Sequence, residues 1–220
     1  MAELTITNAR LRAQEDLVNI EIDDGLIGQI GPAGPGDGAT IDAAGGLVTE
    51  GFTNAHLHLD KVFTLAEVGE EALRHYQGEG MGKASLAIDA AAGVKRSQDA
   101  DQMLELAKRS LAMAAYYGTT HVRAMADVDS KAGTRGVEVL CAARDEFAGI
   151  VDVQVVAFPQ DGIVRENGAG ELMRLSMELG ADVVGGIPWI EYTTRAMTEH
   201  ISAAFDLAVE FDADVSMLLD

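Results

Sequence analysis

The chain has 220 residues, 48% hydrophobic and 24% charged, enough for one domain or slightly more and too apolar for general disorder. Its 16 Lys and Arg against 36 Asp and Glu leave a net charge of −20, which repels nucleic-acid phosphate and argues against duplex binding. No basic amphipathic helix or long apolar run points to a membrane, the single Cys141 allows no internal disulfide, and Met1 to Arg12 does not read as a signal peptide, so a cytoplasmic location is expected.

The first fifty residues read as β. Leu4 to Thr7 and Val18 to Ile22 alternate, Asp24-Gly25 is a tight-turn pair, and Leu26 to Ile30 resumes the strand. Gly31 to Gly38 reads as a loop and Thr40 to Val48 as another short strand, giving a small antiparallel unit over residues 1–47. From Leu47 an apolar run leads to His56-Leu57-His58-Leu59-Asp60. The stretch from Lys61 to Arg96, with Gly78, Gly80 and Gly82, reads as a mobile loop over a site. Helices are then expected over Asp99 to Tyr117, with Gly118 as its cap, and over Thr134 to Ala148, Glu171 to Leu179 and Thr194 to Phe211. Strands are expected over Thr120 to Ala126, Val151 to Phe158, Asp182 to Ile187 and Val215 to Leu219.

Continuous apolar strands alternating with helices suit a parallel sheet buried on both faces, either a doubly wound sheet or a (β/α)8 barrel. No Gly-x-Gly-x-x-Gly follows the first strand, so a dinucleotide fold gains no support. A barrel needs about 250 residues and eight strands. Residues 48–220 supply five, an apparently incomplete barrel whose apolar edges should draw it into a homo-oligomer or against a second chain.

His56 and His58 are the sharpest chemical feature. Positions i and i+2 of a strand share a face, so both imidazoles can reach one cation at the C-terminal strand end, where barrel enzymes place their sites. The bland alternative is a chance surface pair. Asp127 and Asp129 read either as partners orienting a ligand histidine or as turn and cap residues. Lys61 sits near such a metal or pairs with an acid. Trp189 and Glu191 follow the fourth barrel strand, in reach of a pocket. His75, His121 and His200 fall outside ligand spacing and read as surface or core residues, and Met103 and Met113 as core filler.

The segment Gly51-Phe52-Thr53-Asn54-Ala55-His56-Leu57-His58-Leu59-Asp60-Lys61, with Phe63 after it, resembles the opening of the amidohydrolase superfamily. It is most similar to the branch of cytosine deaminase and N-isopropylammelide isopropylaminohydrolase. His121-Val122-Arg123 with Asp127-Val128-Asp129, then Asp152 to Gly162, then Gly180 to Pro188, resemble the second, third and fourth barrel strands of that branch, in order. The resemblance implies a small β-sandwich segment ahead of a TIM-type barrel. It implies one divalent metal, zinc or iron, held by His56 and His58 with further ligands from later strands. It implies a metal-activated water that attacks an amino-bearing ring carbon of a small-molecule substrate. Gln160 would contact the ring, with Lys61 and Trp189 lining the pocket, and a proton-shuttling acid would fall just beyond Asp220. The stretch Asp182 to Ile187 has no lysine to bridge two metals, which favours a one-metal site.

Two departures qualify this. Met125 stands where relatives have a histidine, and the strand-five ligand position falls on Leu218, which cannot bind metal. Both make the pocket less polar and suit a greasier substrate. They also leave open a non-catalytic relative or one subunit of a split enzyme.

Overall fold

The computed structural model describes residues 2–12, 14–36, 38–64 and 99–219. The expected loop lies outside the described residues from Leu65 onward, and with it His75 and the three clustered glycines. The chain divides into two compact units, Met1–Gly51 and Phe52–Asp220.

The first unit is a four-stranded sheet of β1 (Leu4–Ala9), β2 (Val18–Asp23), β3 (Leu26–Pro32) and β4 (Ala39–Asp42), in the order β3-β2-β1-β4. Asp24 and Gly25, at φ 50° and 71°, supply the two positive angles of the β2–β3 hairpin. The expectation of an antiparallel unit is corrected: β4 runs parallel to β1, with Leu4 opposite Ala39. The expected strand over Thr40 to Val48 also shortens. Ala44 and Gly45 both take positive φ, and the Ala44 amide turns back onto the Asp42 carboxylate, which ends β4.

The second unit is a five-stranded parallel sheet in sequential order, β5 (Phe52–Leu57), β6 (Thr119–Asp127), β7 (Asp152–Phe158), β8 (Val183–Gly186) and β9 (Asp214–Met217). Helices α1 (Ala100–Tyr116), α2 (Arg135–Glu146), α3 (Ala169–Glu178) and α4 (Thr194–Phe211) connect the strands. Asp99 caps α1 by accepting from the Asp101 and Gln102 amides, and Thr193 caps α4 by accepting from Ala196. Gly118, at φ 82°, closes α1 as expected. This is part of a (β/α)8 barrel wall, in keeping with the barrel reading.

The sheet has two apolar faces. Ala124, Ala126, Val155, Ala157 and Val184 point to the helices and join Leu111, Leu140, Met173 and Leu207 in the main core. Met125, Val156, Phe158, Val183 and Ile187 form a separate buried cluster on the opposite face, with Leu218 and Trp189 packed against it. Burial on both faces holds for the centre of the sheet only. β8 is buried throughout, whereas β5 is mostly exposed and β9 only half-buried, because each is an edge with one neighbour. Met103 is core as expected, but Met113 is corrected to the surface at 45% exposure, because it lies off the buried stripe of Met103, Ala107 and Leu111. Among the described residues no helix is long and apolar enough to cross a membrane.

Candidate active site at the strand ends

β5 carries His56 and ends at Leu57. The chain then folds into a 3-10 turn over Leu59–Lys61 that buries Leu59 and Asp60 and starts at His58. This bend sets the geometry. His56 and His58 pack edge to face with ring centroids 5.1 Å apart, and His58 stands edge-on to Phe158 at 5.5 Å. The two imidazoles are thus brought together, with His56 on the open side and His58 half-buried.

β6 delivers Asp127 to the same place. It lies on the face that carries Met125, two residues back, and opposite Phe158 in the β6–β7 register. Asp127 is 1% exposed, and its carboxylate accepts from Lys61 Nζ at 2.7 Å and faces His58 Nδ1 at 3.4 Å. Asp60, 6% exposed, accepts the Asp127 backbone N–H at 2.8 Å. Burial pushes the Asp60 carboxyl above its ordinary range and the Asp127 charge adds to this, against Lys61 and His58. Burial, then His58 and Lys61, hold the His56 imidazole below its usual value, in the neutral form that binds metals.

The donor set fits a divalent cation. Among the described residues His58 Nδ1 and Asp60 Oδ1 are buried without hydrogen-bond partners, an arrangement costly to leave unsatisfied. One ligand atom from each of His58, Asp60 and Asp127 lies within 4.8 Å of the others. Asp60 belongs to the motif, yet strand periodicity gives it no role. Its signal in the sequence is its place two residues after His58, where the chain turns inward.

The other sequence-derived positions divide. Lys61 is an ion-pair partner of Asp127, and its ammonium is committed to that carboxylate. Asp129 is buried and its Oδ1 accepts from the Lys131 and Ala132 amides in the turn after β6. Gln160 is 6% exposed and sits directly past the end of β7, its amide bonded to the Phe158 carbonyl. Trp189 is half-buried in the 3-10 turn after β8, on the Met125–Phe158 cluster. Leu218 lies just past β9, bonded through its amide to the Gly186 carbonyl, and faces the same cluster. His121 is a surface residue 3.3 Å from Asp152, whereas His200 is fully buried against Glu191.

No protein-family model matches the chain. An N-isopropylammelide isopropyl amidohydrolase of Pseudomonas sp. (strain ADP) is 34% identical over 181 residues, which cover 80% of this chain and 42% of that protein. The solved structure of a 5-methylcytosine deaminase from Klebsiella pneumoniae, liganded with 5-fluorocytosine, superposes with a TM-score of 0.85 at 32% identity, covering 98% of this chain and 51% of that one. The N-isopropylammelide isopropylaminohydrolase of Burkholderia multivorans superposes with a TM-score of 0.71 at 28% identity, covering 99% of this chain and 53% of its own. The chain therefore spans about half the length of the relatives it matches. Half-barrel sheet, strand-end histidines and these likenesses agree: the chain belongs to the amidohydrolase superfamily and corresponds to the N-terminal part of its members.

Proposed function

We propose that the chain forms the metal-binding half of a hydrolase that cleaves an exocyclic C–N bond of an amino-substituted nitrogen heterocycle. The observation that carries this reading is His58, whose ring is shared between His56, Asp127 and the Phe158 face at the strand ends. The relatives' names point to aminated rings, and the apolar cluster beside His58 offers such a ring a wall to lie on.

His56 and His58 would hold one divalent metal, zinc or iron, with Asp60 and Asp127 as the buried acids behind them. When bound, such a metal acidifies water enough for nucleophilic attack near neutral pH. The chain's own residues prepare the site. Lys61 balances the Asp127 charge, so that this carboxylate can face His58 without a second unpaired anion beside Asp60. Gln160, at the end of β7, presents donor and acceptor to the ring edge. Trp189 and Phe158 exclude water from one side. The remaining ligands and the proton-shuttling acid lie outside these 220 residues.

A non-catalytic relative is the second reading, favoured by Met125 and Leu218 in the apolar cluster where the resemblance would place histidines. Ammonia or amine release from cytosine, 5-methylcytosine and N-alkylamino-triazines, assayed with added zinc or iron, separates the two. Turnover that disappears in His58→Ala supports the hydrolase. No turnover by the metal-loaded chain once it is joined to the part that supplies the remaining ligands and the acid supports the non-catalytic relative.

A further inference from the structure

Outside the histidine cluster, a densely hydrogen-bonded buried pair joins the loops after β7 and β8. Glu191 and His200 are both completely buried at the side chain, 2.8 Å apart. His200 Nε2 accepts the Ile187 amide at 3.0 Å, so the ring proton resides on Nδ1 and is donated to Glu191 Oε1. The Ile163 amide also lies 3.3 Å from Nδ1, but its shorter bond, 2.9 Å, goes to Glu191. The same carboxylate accepts the Val164 amide at 3.0 Å on Oε1 and the Arg165 amide at 2.9 Å on Oε2.

Three successive backbone N–H groups thus form a nest around one carboxylate. Gly162, at φ 94°, lets the loop close over it, since a Cβ there would stand 2.7 Å from Glu191 Oε1. Arg165 reaches back to the Ile190 carbonyl and lies over the Tyr192 ring. Gln160 and Trp189 sit at the two ends of this construction, two residues before Gly162 and two before Glu191.

We infer that Glu191 and neutral His200 are positioning residues: they lock the loop after β7 to the turn after β8 and thereby fix where Gln160 and Trp189 stand. The pocket role of those two residues rests on the function proposed above; the locking does not. Among the described residues Glu191 bonds His200 and the Ile163, Val164 and Arg165 amides, so its effect on the pocket passes through them.

The test uses the 15N-labelled 220-residue chain. His200 should show Nδ1 protonated and Nε2 unprotonated. Glu191→Gln keeps an oxygen for Ile163, Val164 and His200 and sets an amide group against the Arg165 N–H. Exchange at Arg165 should then quicken about tenfold or more, the weight of one charge-assisted hydrogen bond, with Ile163 and Val164 nearly unchanged. His200→Gln should quicken exchange at Gln160 and shift the emission of Trp189, the only tryptophan in the chain. Val122 and Val155, in the sheet centre, should not change in either variant. Uniformly faster exchange, including Val122 and Val155, would reduce the pair to ordinary core and overturn the inference. So would unmoved Gln160 and Trp189 signals. Binding of 5-fluorocytosine by the zinc-loaded chain, weakened about tenfold in His200→Gln, extends the locking to the pocket. Absence of binding in the parent chain counts against the proposed substrate class, while the exchange rates alone still decide whether the lock exists.

Discussion

The two sides of the strand-end rim are built on opposite principles. Under β5 and β6 the face is polar and charged: His56, His58, Asp60, Lys61 and Asp127 crowd together, and the buried His58 Nδ1 and Asp60 Oδ1 lack hydrogen-bond partners among the described residues. Under β7, β8 and β9 the same face is apolar, with Phe158, Val183, Ile187 and Leu218 joined by Met125 from β6. Buried polarity without internal satisfaction is expensive, so it persists where a ligand or cation completes it. The apolar side needs no completion. The chain thus carries one apolar wall and one polar, charged cluster.

Several changes would break or sharpen this contrast. The largest effect belongs to Asp127→Ala, which removes a buried carboxylate and strips the half-buried Lys61 of its counter-charge. A loss of about 3–5 kcal/mol of stability is expected in denaturant titration, with metal affinity weaker by about 10–100-fold. Met125→His tests the apolar wall from within. A buried imidazole without a partner should cost about 1–3 kcal/mol, read as a lower midpoint, and added zinc should restore part of it if the polar site extends that far.

Acid should separate the regions by pH. Burial depresses the His200 value in the folded chain, against the pull of Glu191. The unfolded chain therefore takes up more protons, and stability present above pH 6.5 is lost as pH falls below that value. Burial alone would raise the Glu191 carboxyl, but bonds from His200 and the Val164, Arg165 and Ile163 amides outweigh it, so its value is lowered and a further loss begins below 4.5. His200→Gln should shrink the first loss to the part that His56 contributes and weaken the second, checked by midpoints across pH. The smallest effect is expected from Leu218→His. The site is half-buried at an edge, so stability should change by about 0.5 kcal/mol or less, while zinc binding should tighten if Leu218 occupies a ligand position.

Much of the fold was legible because the strands of the sheet centre, such as Val151 to Phe158, are continuous apolar runs set between amphipathic helices. Edges were harder to read. The mostly exposed β5 and the parallel β4 depend on which neighbours a strand acquires, and no local pattern encodes that. At the site, the His56 and His58 spacing was visible from strand periodicity. The Asp60 role was not, since it depends on a 3-10 turn that folds the chain inward. His200 was readable in part: it shares a stripe with Ala204, Leu207 and Ala208, which places it on the buried face of α4, but its partner Glu191 could only come from the loop geometry.

The most direct test of the proposed metal site is the metal content of the purified chain, prepared without chelators or a histidine tag, beside His58→Ala. About one zinc or iron per chain, absent from His58→Ala, is the predicted result for a one-metal site. A metal-free parent chain that stays metal-free on incubation with zinc or iron would contradict the account, because the buried His58 and Asp60 atoms would then have no cation to complete them.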